Sequence, residues 1–371
     1  MCENRTMGIG GEWADMGDRV RECRLAADLS QDQLAAAVGL DRTMIAKIEA
    51  GVRRIDALEL VRLSEALRVP LDFLLRPAQP IISRRAELTD DTIADVTRQS
   101  YRLELALSAW LADVRQLAEL GDLVTPPVRR YPGTVDDMPG ARSAARWVRD
   151  SLDLGTRPVD SLMTLCERMG QLVAVVATRG DGASLVDGDV AVAVVSSQGD
   201  PGRRRATAAH ELGHLIVGDE YSADLGVHTS RAEREQVIDA FAAELLLPAG
   251  VVKERAGKSA APIRDVLLML AATYRTSWSL TVRQALEAGA VGREAAKELR
   301  RRNPTRAELM EAVGWTPQPD LESVRVPPSY AHAVFQALKK NLITTSRAIE
   351  LMRGQVEEGD LPARDDWDIE P

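Results

Sequence analysis

Ala209-His210-Glu211-Leu212-Gly213-His214-Leu215-Ile216 sets two histidines four residues apart in an apolar run. On a helix that spacing puts both imidazoles on one face, within reach of a single metal ion. Zinc suits such a pair, and Glu211, next to the first ligand, is placed to act as a general base on zinc-bound water. The flanks from Ala206 to Val217 carry no charge outside the motif, as a buried helix requires. The plainer reading is a surface helix with an incidental histidine pair.

Residues 172–177 and 190–195 are apolar, β-branched runs with Leu185-Val186 between them, and the spacing predicts a small sheet. Helical patterns precede it at 141–153 and 159–169. A small sheet against a metal-binding helix is a zincin-like α+β arrangement. Arg203-Arg204-Arg205 leads into the motif helix. The run can clamp an acidic substrate or DNA; the favoured reading makes Arg205 structural and its two neighbours a solvated face. A second helix is expected over 231–247, ending at Pro248 and carrying Glu235 and Asp239. These two carboxylates share a side, one helical turn apart. His228 lies nearer in sequence, in a loop. A third protein ligand beside the two histidines would leave a fourth position for water, as a catalytic zinc site requires. Cys166, between Leu165 and Met169, reads as core.

From 18 to 76 the chain predicts five short helices. Ser30 with Gln33 forms a capping box for the second, and Gly39 ends it. Asp41 is expected to cap a third over 42–50, which Gly51 ends; Ala57 to Leu67 gives a fourth and Pro70 opens a fifth. Helix, short turn with glycine, helix is the helix-turn-helix signature. Residues 1–76 carry 11 Lys+Arg against 13 Asp+Glu, a net of −2, which is not the basic footprint of most DNA-binding modules.

Residues 90–121 read as one long helix, with Val96, Ser100, Leu103, Leu107, Trp110, Val114 and Leu117 at heptad spacing and Leu105 and Leu111 widening the stripe. A dimer seam and ordinary core packing explain that stripe equally well. A Pro-rich linker follows. Beyond the metal domain, helices are expected over 262–289, 293–302, from the Thr305–Glu308 capping box, and over 330–338 and 345–353. The tail from Val356 is acidic, with Trp367 as its large apolar residue, and reads as solvated or as a docking segment.

The composition, 45% hydrophobic residues and 4% aromatic, supports ordinary cores. No apolar run nears the roughly 20 residues of a membrane span, and the N-terminus lacks a signal-peptide core. Three unpatterned cysteines, Cys2, Cys23 and Cys166, point to neither disulfides nor a cysteine zinc site. A cytoplasmic protein with no membrane partner is the expectation. The net charge of −9 gives no blanket attraction to nucleic acid, so any DNA contact comes from a local patch.

Two resemblances complete the reading. Ser30-Gln31-Asp32-Gln33-Leu34-Ala35, Gly39, Ile45-Ala46-Lys47-Ile48-Glu49-Ala50-Gly51 and Leu67-Arg68-Val69-Pro70 resemble the phage-repressor (Xre/Cro) helix-turn-helix. That resemblance implies Arg42, Thr43 and Lys47 at base edges and Gln31, Arg53 and Arg54 at phosphates of a double-stranded operator. Arg205, Ala209, His210, Glu211 and His214, followed by Glu235, Asp239, Phe241, Ala242, Leu245, Leu246 and Pro248, resemble the ImmA/IrrE metallopeptidases. This implies Zn2+ on His210, His214 and Glu235, with Glu211 catalytic. Asp239 stands where that family usually has Asn, and its expected place is behind a ligand; Asp239 and His228 remain the alternatives for the third ligand.

The fold expected is mainly α with one α+β zincin-like domain. The divisions are 1–78 (helix-turn-helix), 79–140 (long helix and Pro-rich linker), 141–290 (metallopeptidase-like) and 291–371 (helical, acidic tail). The function expected is a transcriptional regulator, acting as a homodimer on DNA, that cleaves a repressor or itself in response to a signal. The alternative is a non-enzymatic antitoxin and autorepressor that binds a co-encoded toxin.

Overall fold

The computed structural model describes residues 9–67, 69, 71–75, 83–85, 93–218, 228–314, 320, 321 and 323–361. Pro70, the linker prolines Pro317 and Pro319, and Trp367 with its acidic surroundings lie outside the described residues, as do the side chains of Val96, Ser100 and His228.

The N-terminal module is α1 (Ile9–Ala26), α2 (Gln31–Val38), α3 (Arg42–Glu49), α4 (Ala57–Leu67) and α5 (Leu71–Leu75). The capping box forms: Gln33 N donates to Ser30 Oγ at 3.1 Å and Ser30 N to Gln33 Oε1 at 2.8 Å. Gly39, at φ 72°, makes the left-handed turn into α3 that a Cβ would strain. Asp41 stands at the cap of α3 in extended conformation but makes no side-chain cap bond, so that helix starts without the expected help. Asp56 and Glu59 instead exchange bonds at the start of α4, at 2.8 and 3.2 Å. Val20, Leu34, Val38, Ile45, Leu63 and Leu74 form the core. Buried Arg24 reaches Glu49 at 2.5 Å, and Gln31 donates to the same carboxylate at 2.8 Å, tying three helices together.

A short strand, β1 (Ser83–Arg85), precedes the long helix α6 (Ile93–Glu119). Then come α7 (Met138–Ser151), α8 (Leu162–Arg168), β2 (Gln171–Val176), β3 (Gly182–Asp187), β4 (Val190–Ser196), α9 (Pro201–Val217) and α10 (His228–Leu246). The chain continues through α11 (Ala249–Lys258), α12 (Ile263–Tyr274), α13 (Trp278–Glu287), α14 (Arg293–Arg301), α15 (Arg306–Val313), α16 (Pro328–Lys339) and α17 (Thr345–Leu351). The architecture is mainly helical with one small sheet, the expected class.

The sheet order is β1-β3-β4-β2. β3 and β4 form an antiparallel hairpin, while β2 runs parallel to β4 with Gln171 opposite Ala191. Both faces are buried, which is why the strands read as continuous apolar runs. Val173, Val175, Ala191, Ala193 and Val195 pack with α7 to α10 and α12. Leu172, Ala174, Val192 and Val194 face the other way, against Leu103, Leu107, Trp110, Val114 and Leu117 of α6 and Tyr330 and Val334 of α16. Trp110 Nε1 donates to the carbonyl of Leu172 at 2.9 Å.

The heptad stripe is therefore core from Leu103 to Leu117, and the seam reading of those positions is corrected: the sheet fills the place of a second copy. The widening residue Leu105 packs instead on the N-terminal core, and Arg102 beside it bonds the carbonyl of Ala26 and the carboxylate of Asp28. One helix thus touches both the N-terminal module and the sheet. The apolar core around α9 also takes in Val291, Ala296, Leu299 and Leu321 from beyond residue 290.

Candidate metal centre and nucleic-acid interface

α9 starts at a built cap. Asp200 Oδ1 accepts from Arg203 N at 3.1 Å and Pro201 fills the first turn. Its side chains from Arg204 to Ile216, Ala206 excepted, are buried. Gly213, inside the motif, lets α10 come close: a Cβ there would lie 2.9 Å from Ile238 Cγ2 and from Phe241 Cδ1. That approach brings the acidic residues of α10 to the histidines.

The Nε2 atoms of His210 and His214 lie 3.1 Å apart, and Glu235 Oε2 is 3.0 Å from His210 Nε2. One donor atom from each of the three residues lies within 4.8 Å of the others. Asp239 takes a different position. Its Oδ1 is 2.9 Å from His210 Nδ1, the ring nitrogen turned away from the cluster, while Arg283 approaches its other oxygen at 3.5 Å. A proton on Nδ1, held by Asp239, leaves the lone pair of Nε2 to the cluster. Two imidazoles and one carboxylate converging on one point, with a carboxylate behind the first histidine, is a donor set that fits a divalent cation.

Glu211 is buried and points to the sheet. Ser184 Oγ of β3 donates to Glu211 Oε2 at 2.7 Å, and Gln171 Nε2 donates to the Glu211 carbonyl at 3.1 Å. Beside the cluster opens a cavity of about 890 Å³, lined among others by Asp181, Arg203, Thr207, Asp239, Trp278 and Arg283.

The three arginines before the motif separate. Arg203 pairs with Asp181 at 3.0 Å. Arg204, expected on a solvated face, is buried and donates to the carbonyls of Ser197 and Gly199 at 2.8 Å. Arg205 is the most enclosed, in a buried ion pair with Asp320 and a 2.8 Å bond to the carbonyl of Val159. Burial pushes its guanidinium down to about 10, against the pull of Asp320, so it stays charged at neutral pH. Arg283, Ser184, Gln171 and Asp320 escaped the sequence reading. Only Ser184 left a trace there, as a polar residue in an apolar strand run.

In the N-terminal module Arg42, Thr43 and Lys47 are exposed on α3. Arg42 lies 3.6 Å from Asp32. Arg54 is exposed, but Arg53 is engaged: both its terminal nitrogens bond Glu59, at 2.8 and 2.6 Å. Gln31 is likewise turned to Glu49.

The fold and the site define a helix-turn-helix module joined to a domain with a two-histidine, one-carboxylate cluster. A helix-turn-helix family model matches residues 20–74, and a model of the IrrE N-terminal-like domain matches residues 176–284. A protein of Rhodospirillum rubrum, named as an uncharacterized transcriptional regulator in the ATPase CF(0) region, is 40% identical over 73 residues, 20% of this chain and 68% of that one. The restriction-modification controller protein C.AhdI of Aeromonas hydrophila is 34% identical, covering 17% of this chain and 97% of the controller at a TM-score of 0.17. PlcR of Bacillus thuringiensis, solved with the peptide PapR7 and DNA, is 8% identical over 92% of each chain at a TM-score of 0.18. Those two scores say nothing about the arrangement of the whole chain. The chain belongs to the helix-turn-helix family through its N-terminal module and is a DNA-binding regulator of that kind fused to an IrrE-like domain. Among the described residues, no helix is long and apolar enough to cross a membrane.

Proposed function

We propose that the protein is a transcriptional regulator whose IrrE-like domain is a zinc metalloendopeptidase, cleaving a repressor or the chain itself in response to a signal. The observation that carries this is the convergence of His210 Nε2, His214 Nε2 and Glu235 Oε2 beside a buried Glu211. His210, His214 and Glu235 hold Zn2+, with Asp239 orienting His210 from behind. When bound, zinc supplies a Lewis acid that polarises the scissile carbonyl. Glu211 takes a proton from the attacking water and passes it to the leaving amine. Ser184 steadies the carboxylate for that exchange, and the cavity past Asp239 has the volume of a ligand pocket, room for a substrate side chain.

Arg42, Thr43 and Lys47 read base edges of a double-stranded operator and Arg54 holds a phosphate, in a cytoplasmic protein. Gln31 and Arg53 are each already tied to a glutamate. Two half-sites call for a homodimer, joined elsewhere than the stripe from Leu103 to Leu117. The divisions at 78, 140 and 290 are kept as functional units within a chain whose cores cross them. Metal analysis joined to a cleavage assay on co-encoded proteins tests the reading: stoichiometric zinc with a discrete cut supports it, and a metal-free protein that cuts nothing overturns it. No feature of the site favours the toxin-binding alternative.

A further inference from the structure

β3 is the strand that meets the Glu211 carboxylate, and its outer edge is covered. Ser83–Arg85 pairs with it antiparallel, Ser83 opposite Ser184, Arg84 opposite Ala183 and Arg85 opposite Gly182. The covered stretch is the one that touches the candidate base. Ser184 Oγ donates to Glu211 Oε2 at 2.7 Å, and a Cβ on Gly182 would lie 3.5 Å from Glu211 Cγ. Such a Cβ would also lie 2.6 Å from Thr207 Cγ2, so the strand runs as close to α9 as a backbone can.

Pairing along a sheet edge is main chain to main chain, so any extended polypeptide laid in the same direction makes the same bonds. Three residues supply only a few of them, too few to hold a free segment in place. The covering segment belongs to the passage between α5 and α6 and is separated from β2 by more than eighty residues of chain. It stays because it is tethered, at an effective concentration on the order of millimolar.

We infer that the edge of β3 at Gly182–Ser184 is where the backbone of a polypeptide substrate docks, and that Ser83–Arg85 is the chain's own occupant of that edge, an autoinhibitory strap. A substrate must displace it before its backbone can lie beside Glu211. The word substrate rests on the peptidase reading; the competition for the edge does not. A strap drawn from the passage out of the helix-turn-helix module also gives the DNA-binding half a direct hold on access to the site.

The test is binding of a fluorescein-labelled peptide with the sequence of residues 80–88 to the full-length chain, followed by anisotropy. Successive N–H groups in a strand point to opposite sides, so Ser83→Pro with Arg84→Pro removes a donor facing β3 whichever residue supplies it. The double variant should bind the peptide at least about tenfold more tightly than the wild type, because the tethered competitor is gone. A peptide carrying proline at the same two positions should bind neither protein. Equal affinity of both proteins for the parent peptide, or equal gain for the proline peptide, overturns the strap. Hydrolysis is followed in the same samples by mass spectrometry. Tighter binding keeps the strap whether or not this peptide is cut, and the peptidase reading stands or falls separately on the metal and cleavage assays above; cleavage with no difference in binding between the proteins overturns the strap alone. A second measurement needs no variant. Among residues 83–85, the amides whose N–H faces β3 should exchange slowly in the wild type and should accelerate when unlabelled peptide saturates the edge. Exchange at the unprotected rate from the start, or unchanged by peptide, overturns it as well.

Discussion

Asp239 lies 2.9 Å from Nδ1 of His210, on the side of the ring away from Glu235. The two carboxylates of α10, one turn apart, thus meet the same imidazole at its two nitrogens. In the proposed site the first is a metal ligand and the second fixes tautomer and orientation.

Asp239→Ala should therefore weaken metal binding by roughly 10–100-fold without abolishing it. Asp239→Asn, which can still accept from the Nδ1 hydrogen, should keep most of the affinity. Competition with chelators of graded strength measures both. An alanine variant with wild-type affinity would show that the contact plays no part in holding the ion.

Arg205 and Asp320 are buried, with side chains 1% and 5% exposed, and Asp320 also accepts from the backbone N–H of Leu162 at 2.8 Å. Asp320→Ala leaves a guanidinium without its counter-charge in the core, a loss of about 3–5 kcal/mol. Urea denaturation should show it as a lower midpoint with an unchanged slope. Stability within experimental error of wild type would mean that Arg205 finds another partner.

That ion pair also marks where sequence reading stopped. The helix-turn-helix module was legible because its signals are local: Ser30 and Gln33 three residues apart, Gly39 at a turn. The histidine motif was legible for the same reason, since a four-residue spacing on a helix is geometry in itself. Asp320 stands 115 residues from Arg205, among prolines, with nothing in its neighbourhood to announce a buried partner. β1 is three residues long and is defined only by the strand it pairs with. The stripe on α6 was ambiguous for a deeper reason: a sheet and a second helix ask the same spacing of Leu103, Leu107 and Trp110, and only the fold says which is there. Arg53 looked like a phosphate contact by position, and Glu59, six residues on, holds it.

On the DNA face the structure separates residues that position alone groups together. Arg42→Ala with Lys47→Ala should remove preference for the operator over scrambled DNA, each good base contact being worth roughly 1–3 kcal/mol. Arg54→Ala should reduce the salt slope of binding by about one. Arg53→Ala should act mainly on stability, since it strips Glu59 of its partner. The Arg53 hydrogen bonds hold the Glu59 carboxyl below its ordinary 4.5. A depressed acid contributes stability above its unfolded value and loses it as pH falls through the folded one. The stability gap between wild type and Glu59→Gln should thus be full at neutral pH and shrink below about pH 4. Gel shifts at several salt concentrations and denaturation at two pH values decide; a retained operator preference, or a gap that ignores pH, contradicts these assignments.

Leu107 is fully buried between α6 and the sheet. Leu107→Ala should cost about 2–5 kcal/mol of folding stability and leave the sedimentation of the folded protein as it was. A variant of unchanged stability that sediments as a smaller species would restore the helix to a dimer seam.

The most direct measurement is elemental analysis and a cleavage assay run side by side on wild type, His214→Ala and Glu211→Gln. One zinc per chain and a discrete cut are expected in the wild type, loss of both in His214→Ala, and zinc without the cut in Glu211→Gln. Zinc undiminished in His214→Ala, or cleavage undiminished in Glu211→Gln, would contradict the peptidase reading.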